Sequence, residues 1–218
     1  MAGVFYVNAG REKGRTPMSD FDCATCDDHV CRDGVDCYDA AERVKQLYEK
    51  ADDKEMRLVR TAAAIESMGY MRWPRAWEII RFAKEAGFKH LGIAFCIGMQ
   101  EEARAYAEVL KLDFEVSSVC CKVCGIPKAD YGLRQLDPDR AEESMCSPLG
   151  QAQLLNEAGC DMNIVMGLCV GHDALFTAHC KAPVTTLIAK DRVLGHNPVA
   201  AIYSRYWRKQ LDKWRDGK

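Results

Sequence analysis

The sequence predicts an α/β protein with a doubly wound parallel sheet of about four strands, flanked by helices and preceded by a small Cys-rich unit. Short apolar segments alternate with helical segments through the second half of the chain. Strands separated by helices of about ten residues need right-handed crossovers, which make the strands parallel. A length of 218 residues favours one domain with an appendage. We therefore expect a tail and four-cysteine unit over residues 1–39 and an α/β body over residues 40–218.

The predicted helices have apolar residues at helical spacing, and several end at glycine. They cover residues 39–50, 54–68, 74–87, 99–110, 148–159 and 172–180, and a last helix begins near residue 198. The predicted strands are short and apolar, and they cover residues 89–96, 113–120, 162–169 and 184–189. Residues 121–147 have no strong periodic pattern, and a connection of this length is typical of a lid or a binding loop.

Composition and charge exclude several classes of function. The net charge of −2 and the scattered basic residues do not favour nucleic acid as a partner. The longest apolar runs, residues 91–98 and 163–170, are far shorter than the roughly 20 residues that cross a bilayer. Residues 2–7 are too few for the core of a signal peptide. We therefore expect a cytoplasmic protein that binds neither nucleic acid nor membranes, and no glycine loop indicates a nucleotide cofactor.

The N-terminal cysteines predict a metal site. Four of the twelve cysteines are Cys23, Cys26, Cys31 and Cys37, separated by two, four and five residues. Without an export signal, metal binding or thiol chemistry explains such a group better than disulfides do. Short loops let four thiolates surround one zinc ion or one iron–sulfur cluster. Structural zinc usually takes two Cys-x-x-Cys pairs and only one is present, which favours an iron–sulfur cluster, of the 4Fe–4S type; unliganded cysteines in a solvated loop are the alternative.

A second group of cysteines is dispersed along the chain, but we expect it to meet at one edge of the sheet. Its members end predicted strands or lie in the long connection: Cys96, Cys120, Cys121, Cys124, Cys146 and Cys169. In open parallel sheets the carboxyl ends of the strands line the ligand crevice. Core packing is the alternative for each of them, since free cysteine behaves as a small apolar residue. His172 follows Cys169 at a strand-to-helix turn, as a ligand, a base or a helix cap.

Several long motifs make the chain similar to a known family. They are "CATCDDHVCRDGVDC", "GIAFCIGMQEEA", "CCKVCGIPK", "MCSPLGQAQLLNEAGCDMNIVMGLCVGHD" and "KAPVTTLIAKDRVLGHNPVAAIY". Together they resemble an uncharacterised family of predicted metal-binding proteins of anaerobic bacteria and archaea, the domain-of-unknown-function family numbered eighteen forty-seven. The resemblance implies metal binding and no particular reaction. The matching positions are Cys23, Cys26, Cys31, Cys37, Cys96, Cys121, Cys124, Cys146, Cys169 and His172.

Three classes of function remain open from the sequence. The leading hypothesis is a protein with two metal centres, in which the N-terminal centre transfers electrons to a redox partner or stabilises structure, and the sheet-edge centre meets a small-molecule ligand. The second is a thiol enzyme with Cys169 as nucleophile, assisted by His172 or Asp173. The third is a zinc-stapled interaction module or metallochaperone. Lys190, Asp191 and Arg192 follow the last strand, where a solvated loop is favoured over contact with an anionic ligand.

Overall fold

The computed structural model describes residues 21–217, and the chain divides into two compact units after Asp52. The described part of the first unit contains two short 3₁₀ turns, Cys23–Thr25 and Val30–Asp33, and helix α1 (Ala41–Lys50). Every described residue of this unit is exposed or half-buried. Residues 21–52 contain no buried apolar core, so hydrogen bonds stabilise the turns and the start of the helix.

The start of α1 differs from the sequence prediction. Asp39 was the expected cap, but it has a positive φ of 52° and lies in the left-handed region. The carboxylate of Asp36 instead accepts a hydrogen bond from the amide of Ala41 at 2.7 Å, which lowers the pKa of Asp36. The cap therefore comes from the cysteine-rich loop.

The second unit contains the remaining helices and all the strands of the described chain. In chain order these are α2 (Asp53–Gly69), α3 (Arg75–Glu85), β1 (His90–Phe95), α4 (Gln100–Leu110), β2 (Glu115–Cys120), α5 (Pro148–Glu157), β3 (Met162–Met166), α6 (His172–His179), β4 (Val184–Ile188), α7 (Val199–Tyr203) and α8 (Arg205–Arg215). The predicted C-terminal helix is two helices, because Ser204 is extended and its hydroxyl caps α8 at the amide of Trp207.

The four strands form one parallel sheet in the order β2-β1-β3-β4, which confirms the predicted fold class. The register pairs His90 with Glu115 on one side of β1, and Leu91 with Met162 on the other. From β1 the chain leads to β2 on one side of β1. From β2 it crosses past β1 to reach β3 on the other side. The ends of β1 and β3 are therefore the point where the strand order reverses, which is where such folds bind ligands.

Helices cover both faces of the sheet, so β1 is buried on both sides. Leu91 and Ile93 lie in a core cluster with residues of α3 and α4, whereas Ala94 lies in a second cluster with residues of α5 and α6. At Gly92 a Cβ atom would overlap the side chain of Asn163 on β3 and approach Leu155 to 3.1 Å. Only glycine lets these strands and α5 come this close.

No helix in the described residues 21–217 is long and apolar enough to cross a membrane.

A cysteine cluster at the carboxyl edge of the sheet

The strand ends bring three distant cysteines to one edge. Cys96 follows β1, Cys121 follows β2, and Cys146 lies just before α5. Backbone hydrogen bonds tie these three segments together. The amide of Cys121 donates to the carbonyl of Phe95 at 2.8 Å, and the amide of Ser147 donates to the carbonyl of Cys121 at 2.8 Å. The predicted convergence of the strand-end thiols therefore occurs for these three.

The three thiols interact directly, with Cys121 between the other two. Its hydrogen bonds with the neighbouring sulfurs lower the pKa of Cys96 to about 4 and that of Cys146 to about 5. The same contacts, with Cys146 first, raise the pKa of Cys121. Because one S–H group points to one acceptor at a time, Cys121 shares its proton between two thiolates. The sulfur of Cys121 also accepts a hydrogen bond from the amide of Ile97 at 3.4 Å.

Positive charge surrounds the cluster. The hydrogen bond with Cys121 and burial have the largest effects on the pKa of Cys96 and on that of Cys146. The amide of Gly98 and the charge of Lys190 then lower the pKa of Cys96, and the charges of Lys122 and His172 lower that of Cys146. These charges favour the thiolate form of both cysteines.

Arg192 contacts a fourth thiol, Cys169, which lies shortly after β3. Its Nη2 atom lies 3.0 Å from the sulfur of Cys169. This hydrogen bond raises the pKa of Arg192, and the charges of Cys96 and Cys146 act on the guanidinium in the same direction. Three sulfurs, those of Cys169, Cys96 and Cys146, therefore lie within the electrostatic reach of one arginine. Lys190 and Arg192 therefore lie beside the thiols of Cys96 and Cys169, and their contact with an anionic ligand stays a prediction.

A buried amide that the sequence analysis missed fixes this edge. The Nε2 atom of Gln151, on α5, donates to the carbonyl of Phe95 at 3.2 Å and to that of Val119 at 2.7 Å. Gln151 is fully buried, and it connects the carboxyl ends of β1 and β2 to the helix. Its signal in the sequence is its spacing, since Gln151 shares a helix face with the buried Pro148 and Leu155.

Lys122 was also missed, although it directly follows Cys121. The sequence signal for Lys122 is a cationic residue directly after a cysteine at the end of a predicted strand. Its Nζ atom donates a short hydrogen bond to the carbonyl of Ser144, which fastens the long connection beside Cys146.

Of the remaining cysteines, Cys120 and Cys124 were predicted to join the cluster and Cys160 to pack in the core. Cys124 is exposed, and its sulfur lies against Gly150 at the start of α5. The sulfur of Cys120 accepts from the amide of Lys122 at 3.5 Å. Cys160 packs in the core, where burial raises its pKa to about 11.

The N-terminal cysteines are exposed or half-buried, and each described contact of their sulfurs is local. The sulfur of Cys23 lies 3.4 Å from the hydroxyl of Tyr38, and this contact raises the pKa of Tyr38. Cys31 and Cys37 point to carbonyls of their own loops, at 3.9 Å from His29 and 3.7 Å from Val35. The charge of Cys37 also acts on Tyr38, so Cys23 and Cys37 flank one tyrosine.

Both cysteine groups have the donor chemistry of a metal site. Thiolates are the ligands of zinc and of iron–sulfur clusters, and the cations beside the strand-end thiols favour the deprotonated form that a metal needs. Within residues 21–217, no three Cys, His, Asp or Glu side chains are arranged to hold an ion directly. The cysteines of both groups are free thiols, and hydrogen bonds between thiols occur in the strand-end group.

The cluster opens into a crevice of about 890 Å³. Cys146, Cys169 and His172 line it on the side of the sheet. The predicted loop over residues 121–147 supplies much of the lining, which includes Lys128 and Tyr131 of the 3₁₀ turn Lys128–Tyr131. The unpatterned connection is therefore a wall of the crevice beside the thiols.

Comparison with known proteins gives the family. The model of the family described as "Protein of unknown function (DUF1847)" matches residues 34–187. The chain belongs to this family. It is also 45% identical over 190 residues to the uncharacterized protein MJ0455 of Methanocaldococcus jannaschii, across 87% of this chain and 97% of that protein. No solved structure matches the chain. The family match spans the strand-end cysteines, and therefore the whole sulfur cluster.

Proposed function

We propose that the protein binds a soft metal centre, an iron–sulfur cluster or zinc, through the thiols of Cys96, Cys121, Cys146 and Cys169. The observation that carries the proposal is that these sulfurs meet at one edge of the sheet together with hydrogen-bond donors and cations. Thiolates concentrated in one place repel one another unless positive charge compensates them. A soft cation is the partner that compensates sulfur best.

The surroundings of the sulfurs support a metal centre over simple core packing. Donors reach three of them: the amide of Ile97 at Cys121, the ammonium of Lys190 at Cys96 and the guanidinium of Arg192 at Cys169. Hydrogen bonds and charges of this kind orient thiolate ligands and set the potential of a cluster. Because Cys96 and Cys146 already favour the thiolate form, a metal would displace few protons from them.

We further propose that Cys23, Cys26, Cys31 and Cys37 hold a second centre that stabilises the first unit or exchanges electrons with a partner protein. This unit has exposed or half-buried residues throughout its described part. A small unit without an apolar core usually depends on a metal or disulfides for its fold. All twelve cysteines are free, which suits a reducing cytoplasm.

Metal analysis of anaerobically isolated protein tests the proposal. Iron, zinc and acid-labile sulfide are measured beside optical and electron paramagnetic resonance spectra. We expect Cys146→Ser to remove the sheet-edge centre and Cys23→Ser to remove the N-terminal one. Cys180→Ser is the matched control, because Cys180 is half-buried outside the cluster. Wild-type protein without iron or zinc would refute the proposal, as would metal contents that neither cluster substitution changes.

A second candidate function is nucleophilic catalysis by Cys169, and the contact with Arg192 favours it. An arginine beside a sulfur at a strand-to-helix turn stabilises a thiolate. One carboxylate oxygen of Asp173, Oδ1, accepts from the amides of Gly171 at 3.0 Å and Ala174 at 2.8 Å. Selective alkylation of Cys169 in metal-free protein, slowed by Arg192→Ala, would support this function over metal ligation.

A further inference from the structure

The crevice beside the cysteine cluster has an imbalance of charge. Its lining contains four cationic side chains, Lys122, Lys128, Arg134 and Arg192, against one carboxylate, Glu143, and the thiolate of Cys146, which leaves an excess of two positive charges. The whole chain has a net charge of −2. Positive charge is therefore concentrated at this place, which favours anions in the crevice.

The single carboxylate is already engaged. Glu143 lies 2.8 Å from the Nζ atom of Lys128 and 3.9 Å from that of Lys122, and it accepts from the amide of Leu136 at 2.7 Å. Within residues 21–217, neither Arg134 nor Arg192 has a carboxylate partner in the structure. Arg134 is thus left for an anion, and Arg192 keeps the N–H groups other than the Nη2 contact with Cys169. The planar forks of both guanidinium groups suit a carboxylate or a similar head group.

Much of the rest of the wall is apolar. Ile126, Leu133, Leu136 and Met145 of the long connection face the crevice, with Leu149 of α5 and Leu175 of α6. Several of these side chains remain exposed, Leu136 at 86% and Leu175 at 46%. Exposed apolar side chains that surround a concave, charged site are typical of a binding site for a small molecule.

We propose that the crevice binds a small organic anion with an apolar body, with its head group at Arg134 and Arg192 and its body against the leucines. The volume of about 890 Å³ is enough for a ligand of the size of a drug or a metabolite. The proposal extends the proposed function, since Cys146 and Cys169 line the same crevice and the ligand would lie beside the thiol centre.

Two fluorescent probes that differ in one group test the proposal. 8-Anilinonaphthalene-1-sulfonate has an apolar body and an anionic head group, and N-phenyl-1-naphthylamine is its neutral counterpart. We expect the anion to bind at least tenfold more tightly than the neutral probe. Arg134→Ala and Arg192→Ala should each weaken the anion by roughly ten- to a hundredfold, the usual effect of losing a charged hydrogen bond, and leave the neutral probe unchanged.

The matched control is Arg104→Ala, an exposed arginine of α4 outside the lining. It should leave both probes unchanged, and Leu175→Asp should weaken both. Far-ultraviolet circular dichroism checks that each variant is folded. Equal affinity for the two probes, no binding of the anion, or an anion affinity that neither arginine variant changes would each overturn the proposal.

Metal content measured on the same samples separates this proposal from the proposed function. Arg134 is not a candidate ligand, so Arg134→Ala should retain the metal while it loses the anion. Wild-type protein that contains metal but does not bind the anion would overturn this proposal alone. Wild-type protein that contains no metal but binds the anion through the two arginines would overturn the proposed function alone.

Discussion

The thiol cluster predicts unusual reactivity of Cys146 at acidic pH, because its pKa is about 5 instead of 9.0. At pH 6 this makes the thiolate fraction about 900-fold greater than for the same cysteine in the unfolded chain. A thiolate of lower pKa is also a weaker nucleophile, and a Brønsted slope of about 0.4–0.5 over four units reduces the rate by about 40- to 100-fold. The net expectation is disulfide exchange at Cys146 that is about ten- to twentyfold faster in the folded protein.

The assay is exchange with 4,4′-dithiodipyridine in metal-free protein at several pH values, with mixed disulfides located by peptide mass spectrometry. Cys121→Ala removes the hydrogen bond that chiefly lowers the pKa of Cys146, so the midpoint of the pH–rate profile should move from about 5 toward 9.0. Cys180→Ala, a half-buried cysteine outside the cluster, should leave the midpoint in place. A wild-type midpoint close to 9.0, or no change in Cys121→Ala, would refute the reasoning.

Two further predictions concern stability. Gly92→Ala should reduce the free energy of unfolding by about 1–3 kcal/mol, because the added Cβ atom overlaps the side chain of Asn163. Urea denaturation measures this change, and unchanged stability would contradict the close approach of the two strands. Glu143→Gln should lower the urea midpoint at neutral pH, since the hydrogen bond and charge of Lys128 lower the pKa of Glu143 and so stabilise the fold. Because the pKa of Glu143 in the folded state lies below 4.5, its contribution to stability is complete above pH 4.5 and disappears as the pH falls through the folded-state pKa. The urea midpoints of wild type and Glu143→Gln should therefore converge at acidic pH. A difference that stays constant with pH would contradict this prediction.

The α/β class and the order of helices and strands follow from the sequence because each depends on local patterns. Strands of five or six residues alternate with helices, and the right-handed crossover rule then makes the sheet parallel. The convergence of Cys96 and Cys121 could also be predicted, since both follow strands and parallel strands end at one edge. The break at Ser204 could not, because residues on both sides of it favour a helix.

The tertiary structure alone decided which residues act on which sulfur. Cys146 belongs to the cluster because its backbone segment pairs with that of Cys121, whereas Cys124, three residues from Cys121, lies against Gly150. Local patterns do not determine contacts between segments as distant as Cys169 and Arg192, because such contacts depend on the packing of whole elements. The sequence by itself therefore determined the sheet and the cysteines that its strands carry to one edge. Packing determined the proton sharing at Cys121, the surrounding cations and the charged crevice.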